Sequence, residues 1–200
     1  FIEPFFLTPS SLNTVSSIGG ELGKKGYYTA FFHGADNGSM GFEAFARTAG
    51  YTHYFGRTEY NEANPDNKDF DGHWGIWDEK FFQFFGNTLS GFQQPFAAAL
   101  FSLSSHHPFA VPAEYEGVFP KGNKPIRQCI GYTDNALKLF FEKVSKEPWY
   151  KNTLFVFTAD HTNSPERPEY ETESGLFSVP VVFYQPGSDL KGFRKDVIAQ

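Results

Sequence analysis

The sequence contains a single cysteine, Cys129, among 200 residues. One thiol cannot form a disulfide within the chain, and it cannot supply a metal site built from several thiolates. No histidine or basic cluster lies near Cys129 in the sequence, so we expect a buried, unreactive thiol. Because low cysteine usage occurs both inside and outside the cell, this count leaves the compartment open.

Long apolar runs are also missing. The longest candidates, Pro95–Leu103 and Phe81–Phe85, are far shorter than the roughly 20 residues that a membrane-spanning helix needs. No basic segment precedes an apolar stretch as it does in a signal peptide. The chain begins with Phe-Ile-Glu-Pro instead of methionine. We expect it to be a piece of a longer protein.

The chain has no excess of positive charge. It carries 17 Lys and Arg against 23 Asp and Glu, a formal net charge of −6. A nucleic-acid-binding domain usually presents a basic face, so we expect no nucleic-acid partner. Apolar residues make up 40% of the sequence and charged residues 20%, which is typical of a globular domain. Twenty-five phenylalanines predict an aromatic core.

Predicted strands and helices alternate along the chain. Helical spacing covers residues 16–26, 42–49, 78–85 and 130–144; short apolar runs that predict buried strands cover residues 27–32, 96–103, 153–158 and 178–184. Residues 1–13, 60–72 and 117–124 are polar or turn-rich and are predicted as loops. This alternation favours an α/β layered fold with a mostly parallel sheet and no internal repeat.

Polar side chains follow three of the predicted strands. The first strand is followed by His33, Asp36 and Asn37, the second by His106, and the third by Asp160 and His161. In parallel sheets, ligands gather beyond the carboxyl ends of the strands. We therefore expect these groups to meet at one edge of the sheet.

Each of these groups also has a purely structural interpretation. Asp160-His161 offers oxygen and nitrogen ligands that suit manganese, zinc or iron, or it forms a polar turn. His106 can donate to an anionic oxygen or protonate a leaving group, or it is an exposed loop histidine. His33 can be a packed, hydrogen-bonded residue, and Asp36 and Asn37 can form Asx turns.

Two tryptophans, Trp74 and Trp77, invite a further interpretation as stacking surfaces for a glycan. The alternative is that they anchor a loop and that Asp78 caps the following helix. No nucleophile elbow, P-loop or dinucleotide-binding motif is present in the sequence.

Taken together and in order, the segments resemble the sulfatase-like branch of the alkaline phosphatase superfamily, and most closely the lipoteichoic acid synthase and phosphoglycerol transferase family. The matching stretches are residues 26–34 (GYYTAFFHG), 74–79 (WGIWDE), 103–109 (LSSHHPF), 132–134 (YTD), 157–161 (FTADH) and 179–187 (VPVVFYQPG). The resemblance implies an alkaline-phosphatase-like sandwich with helices on both faces of the sheet. It also implies that residues 1–200 form a partial catalytic domain that lacks the amino-terminal side.

The resemblance implies a reaction as well. In the family, a threonine bound to one divalent cation, usually manganese, attacks the phosphodiester of phosphatidylglycerol, and the glycerophosphoryl group passes to a glycan or polymer acceptor. Asp160 and His161 match the family's paired metal ligands, and His106 matches the histidine that contacts the phosphoglycerol. His33, with Asp36 and Asn37 in the loop after it, matches a segment that lines the substrate pocket. An extracytoplasmic, membrane-tethered parent protein is implied too.

The sequence departs from the family pattern at several positions. An acidic residue that often follows the family's counterpart of His33 is replaced by Ala35, and the substrate-holding tryptophan and arginine fall near Met40 and Phe42. These changes favour a related transferase or hydrolase over a Gram-positive polymer synthase. None of the threonines Thr8, Thr14 and Thr29 matches the nucleophile, so we expect both the nucleophile and the first acidic metal ligand to lie outside these residues.

Two alternatives stay open at this point. One is a sulfatase or phosphoethanolamine transferase of the same superfamily. The other is a non-catalytic module that binds glycan through Trp74 and Trp77. The sequence alone does not identify the acceptor or the metal.

Overall fold

A computed structural model describes residues 15–189 and Gly192. The predicted amino-terminal loop, together with Thr8 and Thr14, lies outside the described residues. The helices are α1 (Ile18–Gly23), α2 (Phe42–Thr48), α3 (Arg57–Ala63), α4 (Asp78–Ser90), α5 (Ile126–Val144) and α6 (Glu173–Leu176); the strands are β1 (Tyr28–His33), β2 (His53–Phe55), β3 (Phe96–Phe101), β4 (Phe155–Phe157) and β5 (Val182–Tyr184). Single turns of 3-10 helix cover Ser39–Gly41, Ala113–Tyr115, Tyr150–Asn152 and Pro168–Glu171.

The chain divides into two compact units, which meet in sequence between Lys143 and Val144. The first unit contains a three-stranded parallel sheet in the order β2-β1-β3. The register pairs Phe31 with Tyr54 of β2 and His33 with Phe101 of β3. This unit confirms the predicted α/β class and the parallel sheet.

The sheet of the first unit has helices on both faces because β1 alternates its side chains. Ala30 and Phe32 are fully buried on the face that packs against α4, where the Phe32 ring lies 4.7 Å from the ring of Phe85. Phe31 points to the other face and contacts Phe42 of α2. By the same alternation His33 lies on the α2 face.

The second unit contains a two-stranded antiparallel sheet made of β4 and β5. The expectation that these strands continue a parallel sheet is wrong for the described residues, because β4 pairs with β5 and β5 runs in the opposite direction. The predicted strand over residues 178–184 is a strand only at Val182–Tyr184.

Several predicted elements have the right type and different bounds. Ser17 caps α1 as expected, accepting a hydrogen bond of 3.0 Å from Gly20 N. The prediction of a loop over residues 60–72 is wrong at its start, because α3 continues to Ala63. Strand β2 was not predicted. All six residues of β3 are half-buried instead of fully covered, because β3 is an edge strand of the described sheet.

Along the described part of the chain, no helix is both long enough and apolar enough to cross a membrane.

Candidate active site at the carboxyl edge of the sheet

His33 is the last residue of β1, and it is almost fully buried, with 5% of its surface exposed. Its Nδ1 lies 3.0 Å from the carbonyl oxygen of Phe101, and its ring lies 4.3 Å from the ring of Phe42. Burial lowers the pKa of His33, and the bond to Phe101 opposes this effect only in part. The imidazole is therefore neutral at pH 7. Because a carbonyl only accepts, Nδ1 carries the proton and Nε2 carries the lone pair.

His106 lies in the loop that follows β3. Its backbone N–H donates to Leu103 O at 3.0 Å, and its Nδ1 lies 3.2 Å from the carbonyl oxygen of His107. The side chain is exposed, and no partner of its Nε2 is found in the part of the chain that the structure describes. Nδ1 is again the donor to a carbonyl, so Nε2 is the atom available to a substrate.

A buried carboxylate, Asp78, holds this loop in place. Asp78 Oδ1 accepts from Leu103 N at 2.9 Å and Oδ2 accepts from Ser104 N at 3.1 Å and from Thr133 Oγ1 at 3.2 Å. In return, Asp78 N donates to Ser104 Oγ at 3.0 Å. Asp78 is the first residue of α4. Its side chain connects α4 to the His106 loop and to α5. The sequence interpretation, that Asp78 caps its own helix, is therefore wrong.

The environment of Asp78 sets its charge. The side chain is 1% exposed, and burial raises its pKa to about 6, although the amides of Leu103 and Ser104 act in the opposite direction. At pH 7 the group is therefore mainly ionised and is stabilised by its hydrogen bonds.

The loop that carries Trp74 reaches the same edge of the sheet. Ile76 N donates to Gly34 O at 2.9 Å, and Ala35 and Gly75 form an antiparallel bridge. Gly75 is required there because a Cβ atom would lie 2.2 Å from Gly34 O. Trp74 Nε1 donates to His107 O at 2.6 Å. The structure therefore brings together residues 33–35, 74–78, 103–107 and Thr133, drawn from four of the stretches that carry the family resemblance.

Asp36 and Asn37 bind to α3. Asp36 Oδ1 accepts from Arg57 Nη1 at 3.0 Å, and the Asn37 amide donates to both carboxylate oxygens of Glu59 at 3.1 Å. Asn37 Oδ1 accepts from Thr58 N at 3.3 Å. These bonds give both residues a structural role that fastens the loop after β1, and their contact with substrate stays a prediction.

Asp160 and His161 follow β4 in the second unit, and both side chains are about half-exposed. His161 Nδ1 lies 2.8 Å from Thr162 O, and its Nε2 lies 3.3 Å from Asp160 Oδ2. A ring nitrogen fixed by a carbonyl is the usual arrangement behind a metal-ligating histidine. Thr162 Oγ1, the next polar group along the chain, is buried without a hydrogen-bond partner in the described residues.

The donor set of this pair, one carboxylate and one imidazole, fits manganese, zinc or iron. It supplies two ligands, and metal sites need more. In residues 15–189 no group of three or more histidine, cysteine, aspartate and glutamate side chains is placed to hold a metal. His33 and His106 belong to the first unit and Asp160 and His161 to the second, and the prediction that the four share one site stays a prediction.

Two other sequence interpretations have clear outcomes. Cys129 is fully buried, and burial raises its pKa to about 11, which confirms an unreactive thiol. Thr29 is buried in β1, where its Oγ1 accepts from Thr52 N at 3.1 Å, so its hydroxyl belongs to the core.

The sequence analysis missed the positioning roles of Asp71, Asp78 and Thr133. Only the role of Asp71 had a signal in the sequence, because the spacing Asp71-Gly-His-Trp-Gly75 is typical of an Asx turn.

Comparison with known proteins identifies the family. A family model described as Sulfatase matches residues 2–199. Lipoteichoic acid synthase 2 of Bacillus subtilis is 28% identical over 157 residues, which cover 74% of this chain and 23% of that protein. Phosphoglycerol transferase I of Escherichia coli is 26% identical over 153 residues, covering 72% of this chain and 20% of that protein. The chain therefore spans about a fifth to a quarter of the length of these curated relatives.

The fold agrees with this result. A solved structure of a protein in the alkaline phosphatase superfamily from Vibrio parahaemolyticus superposes with a TM-score of 0.74 at 23% sequence identity, covering 90% of this chain and 43% of that one. The α/β architecture is thus that of the alkaline phosphatase superfamily. With nearly all of its residues matched by the family model, the chain belongs to the sulfatase family.

Proposed function

We propose that this chain forms part of a metal-dependent phosphoglycerol transferase that acts on a phosphatidylglycerol-type phosphodiester. The observation that carries the proposal is the pair of histidines at the carboxyl ends of the neighbouring strands β1 and β3. Each has its Nδ1 engaged by a backbone carbonyl, so that each keeps Nε2 for a substrate. The similarity to a lipoteichoic acid synthase and to a phosphoglycerol transferase supports the choice of substrate class.

The two histidines have different environments and hence different proposed roles. His33 is buried and neutral, so its Nε2 accepts a hydrogen bond and suits a glycerol hydroxyl better than a phosphoryl oxygen. His106 is exposed, and when protonated its Nε2–H donates to an anionic phosphoryl oxygen or to the departing oxygen of the lipid. In this assignment His33 orients the head group and His106 stabilises developing charge.

Asp160 and His161 are the proposed protein ligands for a divalent cation, with manganese as the first candidate. Such a cation, when bound, would polarise the phosphoryl group and lower the pKa of an attacking hydroxyl. The nucleophile implied by the family resemblance is a threonine outside these residues. Within this chain, the Thr162 carbonyl orients His161 Nε2 towards ligation, and Asp160 supplies the negative charge that a cation requires.

The proposal extends to partners and location. A phospholipid head group is the donor, and a glycan or polymer is the acceptor. The parent protein works on the extracytoplasmic side, tethered to the membrane through segments outside these 200 residues, because a lipid donor and an envelope acceptor meet there.

The test is the His106→Ala variant of the full-length protein. We expect turnover of phosphatidylglycerol to fall about 100-fold or more, the usual contribution of a positioned acid–base group, while manganese affinity stays close to that of the wild type. The matched control is His53→Ala, since His53 begins β2 and so lies at the opposite edge of the sheet. Unchanged turnover in His106→Ala would contradict the proposal, and an equal loss of metal affinity would make His106 a ligand.

A further inference from the structure

The loop from Asp71 to Gly75 is unusually well fixed for an exposed segment. Asp71 Oδ1 accepts three backbone hydrogen bonds, from His73 N at 2.8 Å, Trp74 N at 2.7 Å and Gly75 N at 3.0 Å. The other carboxylate oxygen, Oδ2, has no hydrogen-bond partner in the described residues. One oxygen of Asp71 therefore builds the loop, and the other remains available as an acceptor.

Trp74 is held in this loop with its ring exposed. Its Nε1 donates to His107 O at 2.6 Å, and its ring centroid lies 4.5 Å from that of His106, close to perpendicular at 68°. Even so, 36% of the residue is accessible to solvent. An indole that is fixed by a backbone loop and a hydrogen bond loses little conformational entropy when a ligand covers it.

Asp71, Trp74 and His106 line one hollow, together with Trp77 and the His107-Pro108 peptide. The enclosed part of the hollow is small, about 10 Å³, which is room for roughly one water molecule. A larger ligand would therefore lie across its mouth, against the exposed ring of Trp74. The hollow presents an aromatic surface, an unused carboxylate oxygen and an imidazole. A ligand that suits the aromatic surface and the carboxylate oxygen has an apolar face and hydroxyl donors.

We propose that this hollow is a subsite for a neutral sugar ring of the glycan acceptor. The inference rests on the proposed function and adds to it the place and chemical class of the acceptor. The C–H face of the sugar packs on Trp74, and a hydroxyl donates to Asp71 Oδ2. His106 lines the hollow too, so the sugar site adjoins the position of the phosphoglycerol head group, and the Asp71 carboxylate disfavours phosphate on its own side of the hollow.

Three variants of the full-length protein test the subsite. Trp74→Ala removes the packing surface, and Trp74→Phe retains part of it. Asp71→Asn keeps an oxygen for the loop amides and places an amide donor where Oδ2 stood. The matched control is Asp66→Asn, because Asp66 is an exposed carboxylate that is paired with Lys68 and does not line the hollow. Near-ultraviolet circular dichroism identifies any variant that loses its packing.

Two readouts keep this inference separate from the proposed function. The first is direct binding of neutral probes, cellotetraose and maltotetraose, measured by saturation-transfer NMR. We expect Trp74→Ala and Asp71→Asn to weaken binding about tenfold or more, Trp74→Phe to weaken it less, and Asp66→Asn to match the wild type. The second is the ratio of glycerophosphate transfer onto the oligosaccharide to its release into water, which should fall in the same order.

The outcomes are distinct. Oligosaccharide binding that depends on Trp74 and Asp71 in a protein without transferase activity supports the subsite and contradicts the proposed function. Failure of the wild type to bind either probe at millimolar concentration overturns the subsite, and so does equal binding by all variants.

Discussion

The side chain of Asp78 connects three segments of the site. Its carboxylate binds the first residues of the His106 loop and Thr133 of α5, while its backbone begins α4. The sequence suggested only a local role, because an aspartate at the start of a helix is typical of a cap. Its true partners Leu103, Ser104 and Thr133 lie 25, 26 and 55 residues away, and local spacing carries no information about contacts at that range.

The pH dependence of stability gives a test at this residue. The pKa of Asp78 rises from an ordinary 3.8 to about 6 on folding, so the unfolded chain releases this proton first as the pH increases. The protonated Asp78 carboxyl therefore contributes to the free energy of unfolding in full only below about pH 4. This contribution is lost as the pH rises through 6. Two pKa units correspond to roughly 3 kcal/mol.

Asp78→Asn removes this titration. We therefore expect the stability of the wild type relative to Asp78→Asn, measured by thermal unfolding, to fall by roughly 2 kcal/mol between pH 4 and pH 7. The control is Asp66→Asn, since the pKa of Asp66 is lowered by Lys68 and its removal cannot produce a decrease of this sign. Parallel stability curves for the wild type and Asp78→Asn would show that Asp78 does not titrate in this way.

At the scale of elements, local sequence patterns were sufficient where a segment showed clear apolar spacing or a clear start or stop signal. They predicted α1 with its Ser17 cap, α2, β1 and most of α5. They missed β2 because three residues are too few to show alternation. They missed α3 because its cap is Gly56, whose N–H is bound by the Glu59 carboxylate at 2.6 Å, and because Tyr60 is its only fully buried side chain.

Gly75 tests the contact between two of these segments. In Gly75→Ala the new Cβ would lie 2.2 Å from Gly34 O, so the Trp74 loop must separate from the end of β1. We expect a destabilisation of about 1–3 kcal/mol and faster hydrogen exchange at the Ile76 amide, which loses its bond to Gly34 O. Gly23→Ala is the control, because its Cβ meets nothing closer than 3.8 Å and alanine favours helix α1. Unchanged protection of the Ile76 amide in Gly75→Ala would contradict the assigned contact.

At the scale of the whole molecule, the prediction of the α/β class succeeded because alternating strands and helices define it. The grouping of strands was harder to predict. The pattern predicted a mostly parallel sheet in which the ends of three strands meet at one edge, whereas the structure pairs β4 with β5 in a separate antiparallel sheet. Strand pairing depends on contacts between distant segments, and β4 and β5 are too short to specify a partner by alternation alone.

The β4–β5 pair leads to a prediction for the 200-residue chain produced by itself. Val156 and Phe183 face each other in the register and are 52% and 60% exposed, so one face of this pair presents apolar surface to solvent. Exposed apolar strands promote association. We expect the chain to self-associate in sedimentation velocity, and we expect Phe183→Lys and Val156→Lys to reduce association. Ile18→Lys is the control, because Ile18 is 74% exposed on the short helix α1 and belongs to neither β4 nor β5. If all three substitutions reduce association equally, the added positive charge explains the effect, and the apolar face of the β4–β5 pair does not determine association.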